Sequence, residues 1–86
     1  MANNLSTDRS NNQFIEVGNL RITFIPSSNR DPTKDWAGSH VIRFQAYKDP
    51  SKSKKLYRGA EYPVNTHSDV YALITGIISL IEQNMT

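Results

Sequence analysis

The chain has 86 residues, of which 37% are hydrophobic and 21% are charged, and it contains no cysteine. This length has room for one small domain and excludes a two-domain enzyme, and the absence of cysteine excludes disulfides and thiolate metal ligands. The net charge of +2 is unevenly distributed: residues 41–60 carry six basic side chains against Asp49 alone, a net +5, whereas residues 61–86 carry three acidic side chains and no lysine or arginine. So small a core needs support, which we expect from oligomerisation.

The N-terminal segment, residues 1–12, is polar apart from Leu5. Such a segment buries too little apolar area to offset its ordering entropy. We therefore expect a flexible arm over residues 1–12 and a single domain over residues 13–86. The chain starts without a basic and apolar leader pattern, and no apolar run approaches the roughly 20 residues of a membrane span. This predicts a cytoplasmic protein, nucleoid-associated if prokaryotic, without membrane contact.

A β-hairpin is predicted next. Two runs rich in β-branched and aromatic residues are joined by Gly18-Asn19, and a glycine in a two-residue connection favours a tight turn between antiparallel strands. Along the second run, apolar side chains alternate with polar ones. This alternation predicts a core face made of Leu20, Ile22 and Phe24.

A long loop and two further strands are predicted in the middle of the chain. The loop, residues 26–38, has no periodicity and holds Trp36, the single tryptophan; unstructured loops of this length are often functional. Alternation resumes over residues 41–48, which predicts a third strand. A basic turn then leads to a fourth strand over residues 56–64, where Gly59 and Pro63 indicate a bulge, a bend or an edge position.

A helix is predicted from about residue 66 to residue 84. Thr66 and Asp69 have the spacing of a capping box, although Ser68 is an equal alternative as the N-cap. The apolar side chains of the helix cover an arc of about 180°, which exceeds what docking on one sheet requires. The excess predicts that the helix also meets a second subunit, through Val70, Leu73, Ile74, Ile77, Ile78 and Ile81.

The predicted order is four antiparallel strands followed by one helix, an α+β fold. Several segments in this order resemble the positive cofactor four family of single-stranded-DNA-binding transcriptional coactivators. The resemblance spans about residues 14–82 and implies a curved four-stranded sheet, with the helix packed against it and paired with the helix of a second subunit, and grooves for unpaired DNA. The segments that carry it are Phe14-Ile15-Glu16-Val17-Gly18-Asn19-Leu20-Arg21-Ile22, Asp35-Trp36-Ala37-Gly38, the strand Val41 to Tyr47 with Asp49-Pro50, and Lys54-Lys55-Leu56-Tyr57-Arg58-Gly59.

The resemblance also implies roles for single residues. An aromatic residue in the loop before the third strand stacks on bases in that family, which gives this role to Trp36. Family lysines beside the loop glycine correspond here to Ala37 and Ser39, and a basic and an aromatic position along the third strand appear as Gln45 and Lys48. These departures motivate an alternative, in which the same fold is a protein-interaction module that binds an acidic partner.

The residues by themselves also favour single-stranded nucleic acid, DNA or RNA. Lysine and arginine attract phosphates, and aromatic rings stack on exposed bases. Three alternatives stay open: Arg21 and Arg43 could pair with glutamates across strands, the lysine-rich turn could be a solvated tip that protects a sheet edge, and of Tyr57 and Arg58 only one need face the ligand. The predicted binding set is Arg21, Arg30, Lys34, Trp36, Arg43, Gln45, Tyr47, Lys48, Lys52, Lys54, Lys55, Tyr57 and Arg58.

Catalysis and metal binding have little support in the sequence. The two histidines, His40 and His67, are far apart and have no ligands at metal-site spacing. No paired-carboxylate, serine-histidine or phosphate-loop pattern occurs. We therefore expect a homodimeric binding protein that is not an enzyme and needs no metal or cofactor.

Overall fold

The computed structural model describes residues 5–49, 51 and 55–85. These residues form one antiparallel sheet, with five strands in chain order, and a C-terminal helix. The α+β fold is thereby confirmed, but the predicted number of four strands is wrong. The elements are β1 (Ser6–Thr7), β2 (Gln13–Val17), β3 (Leu20–Ile25), a 3-10 turn (Ser27–Asn29), β4 (Val41–Ala46), β5 (Ala60–Pro63) and α1 (His67–Asn84).

The strand that the sequence did not predict is β1, which lies within the segment expected to be a flexible arm. It pairs with the start of β2 at the sheet edge. The turn after it is closed by Asp8, whose carboxylate accepts hydrogen bonds from the backbone N–H groups of Ser10 and Asn12, both at 2.9 Å. Backbone pairing and a polar turn, rather than apolar burial, order this segment, so apolar content gave no sign of it.

The hairpin of β2 and β3 is confirmed. Val17 is paired with Leu20, which leaves Gly18 and Asn19 as the two-residue turn. Gly18 has a φ of 57°, the left-handed conformation that tight hairpin turns require and that glycine adopts without steric cost. The Asn19 side chain donates a hydrogen bond of 2.9 Å to the carbonyl of Tyr47, which ties the turn to the end of β4.

The strand pairing gives the sheet two different faces, because directly opposed residues of antiparallel strands point to the same side. One face, here called the apolar face, consists of Ile15, Val17, Leu20, Ile22, Phe24, Ile42, Phe44, Ala46, Ala60 and Tyr62. The other, here called the polar face, consists of Phe14, Glu16, Arg21, Thr23, Ile25, Val41, Arg43, Gln45 and Glu61.

Burial in the single chain departs from the prediction, since Leu20 and Ile22 on the predicted core face are only partly buried. Phe24, on the predicted core face, is 42% exposed, whereas Thr23, Ile25 and Val41 on the polar face are buried. The loop of residues 26–38 lies on the polar face, where its side chains share a groove with Ile25, Arg43 and Glu61. The apolar face has the composition of a core but lacks a comparable cover within one chain.

A bulge interrupts the pairing of β4 with the chain that leads into β5. Tyr47 opposes Leu56 and Phe44 opposes Ala60, so three residues face two residues of β4. A Cβ atom on Gly59 would lie 2.2 Å from the carbonyl oxygen of Phe44, so only glycine fits there. The bulge and the edge position expected for this strand are both present.

Helix α1 begins after Thr66, which is its N-cap. The backbone N–H of Asp69 donates to the Thr66 hydroxyl at 3.2 Å, and the Asp69 carboxylate accepts from the backbone N–H of Thr66 at 3.0 Å. This reciprocal capping box settles the alternative at Ser68 in favour of Thr66. None of the helix residues is buried, and Ile78 is 50% exposed.

The single chain exposes more surface than a monomer of its mass usually does. Its accessible surface is 6673 Å², whereas a folded monomer of 9.7 kDa exposes about 5,100 Å². Its radius of gyration is 14.2 Å, compared with about 12 Å for a compact domain of this length. Within the described part of the chain, no helix has both the length and the hydropathy of a membrane span.

Candidate functional site

A groove of about 730 Å³ lies between the loop of residues 26–38 and the polar face of the sheet. We call it the loop groove. Residues from the N-terminal turn, the end of β3, the loop, β4, the bulge and β5 line it. Six members of the predicted binding set line it together: Arg30, Lys34, Trp36, Arg43, Gln45 and Arg58.

Trp36 contributes the large aromatic surface of the groove. Its side chain is 47% exposed, and its carbonyl accepts a hydrogen bond of 3.0 Å from the backbone N–H of Ser39. Its φ of 64° is unfavourable for a bulky side chain and typically costs about 1–3 kcal/mol. Strained backbone of this kind concentrates at functional sites, so the ring is held beside the groove at an energetic cost.

Glu61 on β5 is the centre of the ionic interactions in the groove. Arg30 donates to it from Nη1 to Oε2 at 3.0 Å and from Nη2 to Oε1 at 2.6 Å, and Arg43 donates from Nε to Oε2 at 3.0 Å. The hydrogen bonds from Arg30, with those from Arg43, hold the pKa of Glu61 below its ordinary value against the effect of burial. Glu61 therefore carries its negative charge at neutral pH.

Arg30 is committed to contacts within the chain. Its side chain is only 5% exposed, and besides binding Glu61 it donates from Nε and Nη2 to the backbone carbonyl of Asp35 at 3.1 Å and 2.7 Å. The hydrogen bonds to Glu61 raise the pKa of Arg30. The sequence predicted a ligand contact for this arginine, whereas the structure uses its guanidinium to join the loop to β5.

A second cluster lies at the hairpin end of the polar face. The guanidinium of Arg21 stacks on the ring of Phe14 at 3.9 Å from its centroid and donates to Glu16 at 3.4 Å and to the Tyr47 hydroxyl at 2.6 Å. Tyr47 also donates to Glu16. For Arg21, as for Arg43, the pairing with a cross-strand glutamate that the sequence left open is present.

The other predicted residues that the structure describes do not line the loop groove. The Lys48 ammonium lies 5.4 Å from the centroid of the Tyr57 ring, and the backbone of Lys48 donates to the carbonyl of Lys55 at 3.1 Å. Of the pair Tyr57 and Arg58, only Arg58 lines the groove. Lys52 and Lys54 lie outside the described residues.

Among the residues that the structure describes, the charges that line the loop groove are balanced, which the sequence did not predict. Four basic side chains, Arg30, Lys34, Arg43 and Arg58, are accompanied by four acidic ones, Asp8, Asp31, Asp35 and Glu61. The +5 segment supplies only two of these cations, because the loop contributes the other two. Asp31 and Asp35 belong to the same loop as two of the cations, and the strand register places Glu61 beside Arg43, which is one of the cross-strand pairings that the sequence left open.

The histidines have structural partners. His40 Nδ1 accepts a hydrogen bond of 2.9 Å from the backbone N–H of Ser27 and so fixes the start of the loop, while the ring of His67 lies edge-on to Tyr71. Among residues 5–49, 51 and 55–85, no cluster of three or more histidine or acidic side chains is suited to hold a metal ion.

Comparisons with protein-family models, curated proteins and solved structures found no match to this chain. The resemblance to the positive cofactor four family therefore stays a prediction.

Proposed function

We propose that this protein is a homodimer that binds single-stranded nucleic acid with little sequence preference through the polar face and the loop groove, as a cofactor of transcription, replication or repair. The observation that carries the proposal is the convergence of a half-exposed tryptophan and three cations, Lys34, Arg43 and Arg58, on one groove. Unpaired strands present both parts that such a surface recognises, since bases stack on aromatic rings and phosphates attract cations.

The two faces of the sheet are suited to different functions, the polar face to ligand binding and the apolar face to dimerisation. The polar face carries the hydrogen-bonding and charged side chains, whereas the apolar face and the exposed isoleucines of α1 are suited to burial against a second copy. The surface of one chain exceeds the monomer expectation by about 1,500 Å², and a standard interface buries about 800 Å² per partner. A dimer formed through these apolar surfaces would leave the loop groove accessible.

Titration of fluorescent oligonucleotides, single-stranded and double-stranded, tests the proposal. We expect micromolar or tighter binding of the single strand, with log affinity falling against log salt with a slope of roughly −2 if the three groove cations each contact one phosphate. Trp36→Ala should weaken binding about 5- to 150-fold, since stacking contributes about 1–3 kcal/mol per base, while Trp36→Phe should retain most of the affinity.

A charge-matched pair of variants tests which surface binds. Arg58→Ala removes a cation from the groove, whereas Lys55→Ala removes one from the basic turn. We expect the larger loss of affinity and the shallower salt dependence for Arg58→Ala. The wild type's failure to bind any oligonucleotide, together with retention of a stoichiometric acidic protein from nuclease-treated lysate, would overturn the proposal in favour of the protein-interaction alternative.

A further inference from the structure

Arg30 fastens the part of the loop that carries Trp36 to the sheet. Arg30 follows the last residue of the 3-10 turn. Its side chain donates two hydrogen bonds to the carbonyl of Asp35, the residue immediately before Trp36. The same guanidinium donates two hydrogen bonds to the Glu61 carboxylate on β5. Four hydrogen bonds from one buried side chain thus join the backbone beside Trp36 to the floor of the groove.

This arrangement differs from that of a phosphate ligand. A phosphate-binding arginine presents free donors to solvent, whereas the side chain of Arg30 is almost fully buried and a single carboxylate and a carbonyl accept from it. Removing it would leave Glu61 with one of its two arginines and would free the carbonyl of Asp35. The strained φ at Trp36 would keep the hydrogen bond from Ser39 but would lose the two that hold the preceding carbonyl, and strained backbone persists only where its surroundings over-determine it.

We propose that Arg30 is a positioning residue, which together with Glu61 clamps the loop so that the ring of Trp36 is held beside the groove ready for stacking. The proposal rests on the proposed function for its effect on binding, but the clamp itself is a property of the free protein. Because Glu61 also accepts from Arg43, one carboxylate sets the positions of the ring and of a groove cation. Fixing both in advance lowers the entropy that the ligand must remove on binding.

The free protein tests the clamp directly, because Trp36 is the single tryptophan of the chain and its fluorescence reports on this loop alone. Arg30→Gln and Glu61→Gln should each lower the fluorescence anisotropy of Trp36 and raise its acrylamide quenching constant. Glu16→Gln breaks the other glutamate–arginine pair of the polar face and serves as the matched control, with both signals unchanged. Circular dichroism establishes that each variant is folded.

Binding of an oligothymidine provides the second test, as a double-mutant cycle. Loss of Trp36 stacking is expected to weaken binding about 5- to 150-fold, and Arg30→Gln should weaken binding by no more than that loss. In the Trp36→Ala background the same substitution should have almost no further effect, since it leaves the bond between Arg43 and Glu61 in place and its influence on binding passes through the ring. Arg30→Lys, which keeps the charge but cannot make the paired hydrogen bonds, should behave like Arg30→Gln.

The outcomes separate the clamp from the proposed function. Unchanged anisotropy and quenching in a folded Arg30→Gln or Glu61→Gln variant would overturn the clamp whether or not the protein binds oligonucleotides. Additive losses in the Trp36→Ala background, or full affinity in Arg30→Lys, would show that Arg30 contacts phosphate directly and would also overturn it. If the wild type binds no oligonucleotide but Trp36 becomes mobile in the variants, the clamp stands and the proposed function fails.

Discussion

At the scale of single residues, the site depends on how one carboxylate is shared. Glu61 lies on the polar face beside Arg43, its cross-strand partner, and also reaches Arg30 in the loop. An isolated pair at this depth contributes little to stability once desolvation is counted. A carboxylate with two arginines has most of its acceptor positions satisfied, and this removes the usual penalty of a partly buried charge.

The lowered pKa of Glu61 predicts a pH dependence of stability. Because this pKa is lower in the folded than in the unfolded chain, Glu61 contributes stability that is fully present above the unfolded value of about 4.3 and is lost as the pH falls through the folded value. Urea unfolding followed by Trp36 fluorescence gives the free energy of unfolding at pH 7 and below pH 4. This free energy should fall less between the two pH values in Glu61→Gln than in the wild type. Parallel decreases in the two proteins would contradict the assignment.

At the scale of secondary-structure elements, helix α1 is stabilised within one chain at its N-terminus more than by packing. The capping box of Thr66 and Asp69 satisfies backbone groups at the first turn, and Asp69 places a negative charge at the positive end of the helix dipole. Hydrogen bonds from the backbone N–H groups of Asn65 and Thr66 lower the pKa of Asp69, so this charge is present at neutral pH. None of the helix residues is buried within one chain.

Removal of the N-cap should therefore destabilise the protein measurably. Thr66→Ala is expected to lower the free energy of unfolding by about 1 kcal/mol, and Thr66→Ser should preserve it. The matched control is Thr75→Ala, since the Thr75 hydroxyl bonds back to the carbonyl of Tyr71 within the helix and alanine is the better helix former. We expect no loss from this control in denaturant unfolding; equal losses at both threonines would show that the cap has no special role.

At the scale of the whole molecule, the exposed apolar surfaces determine the assembly that we propose. Ile74, Ile77, Ile78 and Ile81 are each about half exposed, while Val70 and Leu73 are only partly covered. Leu73 and Ile77 line a shallow groove of about 350 Å³ beside Tyr62 on the apolar face. The exposed part of the helix and the apolar face are thus neighbouring surfaces, which one partner chain can cover together.

Ile78→Asp tests this assembly. Ile78 is exposed in the single chain and lies outside the groove beside Tyr62. Aspartate at this position therefore destabilises the protein only if a partner chain covers the position. Light scattering should give twice the chain mass of 9.7 kDa for the wild type and the chain mass itself, or an unfolded chain, for the variant. Ser79→Asp, on the neighbouring exposed position, is the control and should stay dimeric. A monomeric wild type, or a dimeric Ile78→Asp variant, would contradict the assembly.

The sequence by itself determined those features that depend on neighbours along the chain. Alternation placed side chains of β3 and β4 on their correct faces, Gly18 marked the hairpin turn, and the spacing of Thr66 and Asp69 marked the helix start to within two residues. These patterns are local, because strand geometry repeats every two residues and a cap acts within one turn.

Only the tertiary structure decided which face of the sheet is buried and which charges meet. Thr23 and Val41 on the polar face are buried whereas Phe24 on the apolar face is exposed, and the contact between Arg30 and Glu61 joins residues 31 positions apart. Whether such groups meet depends on strand register and loop closure, which local periodicity does not encode. The sequence therefore named Trp36 and the cations that line the loop groove, whereas the acids beside them and the burial of Arg30 required the folded chain.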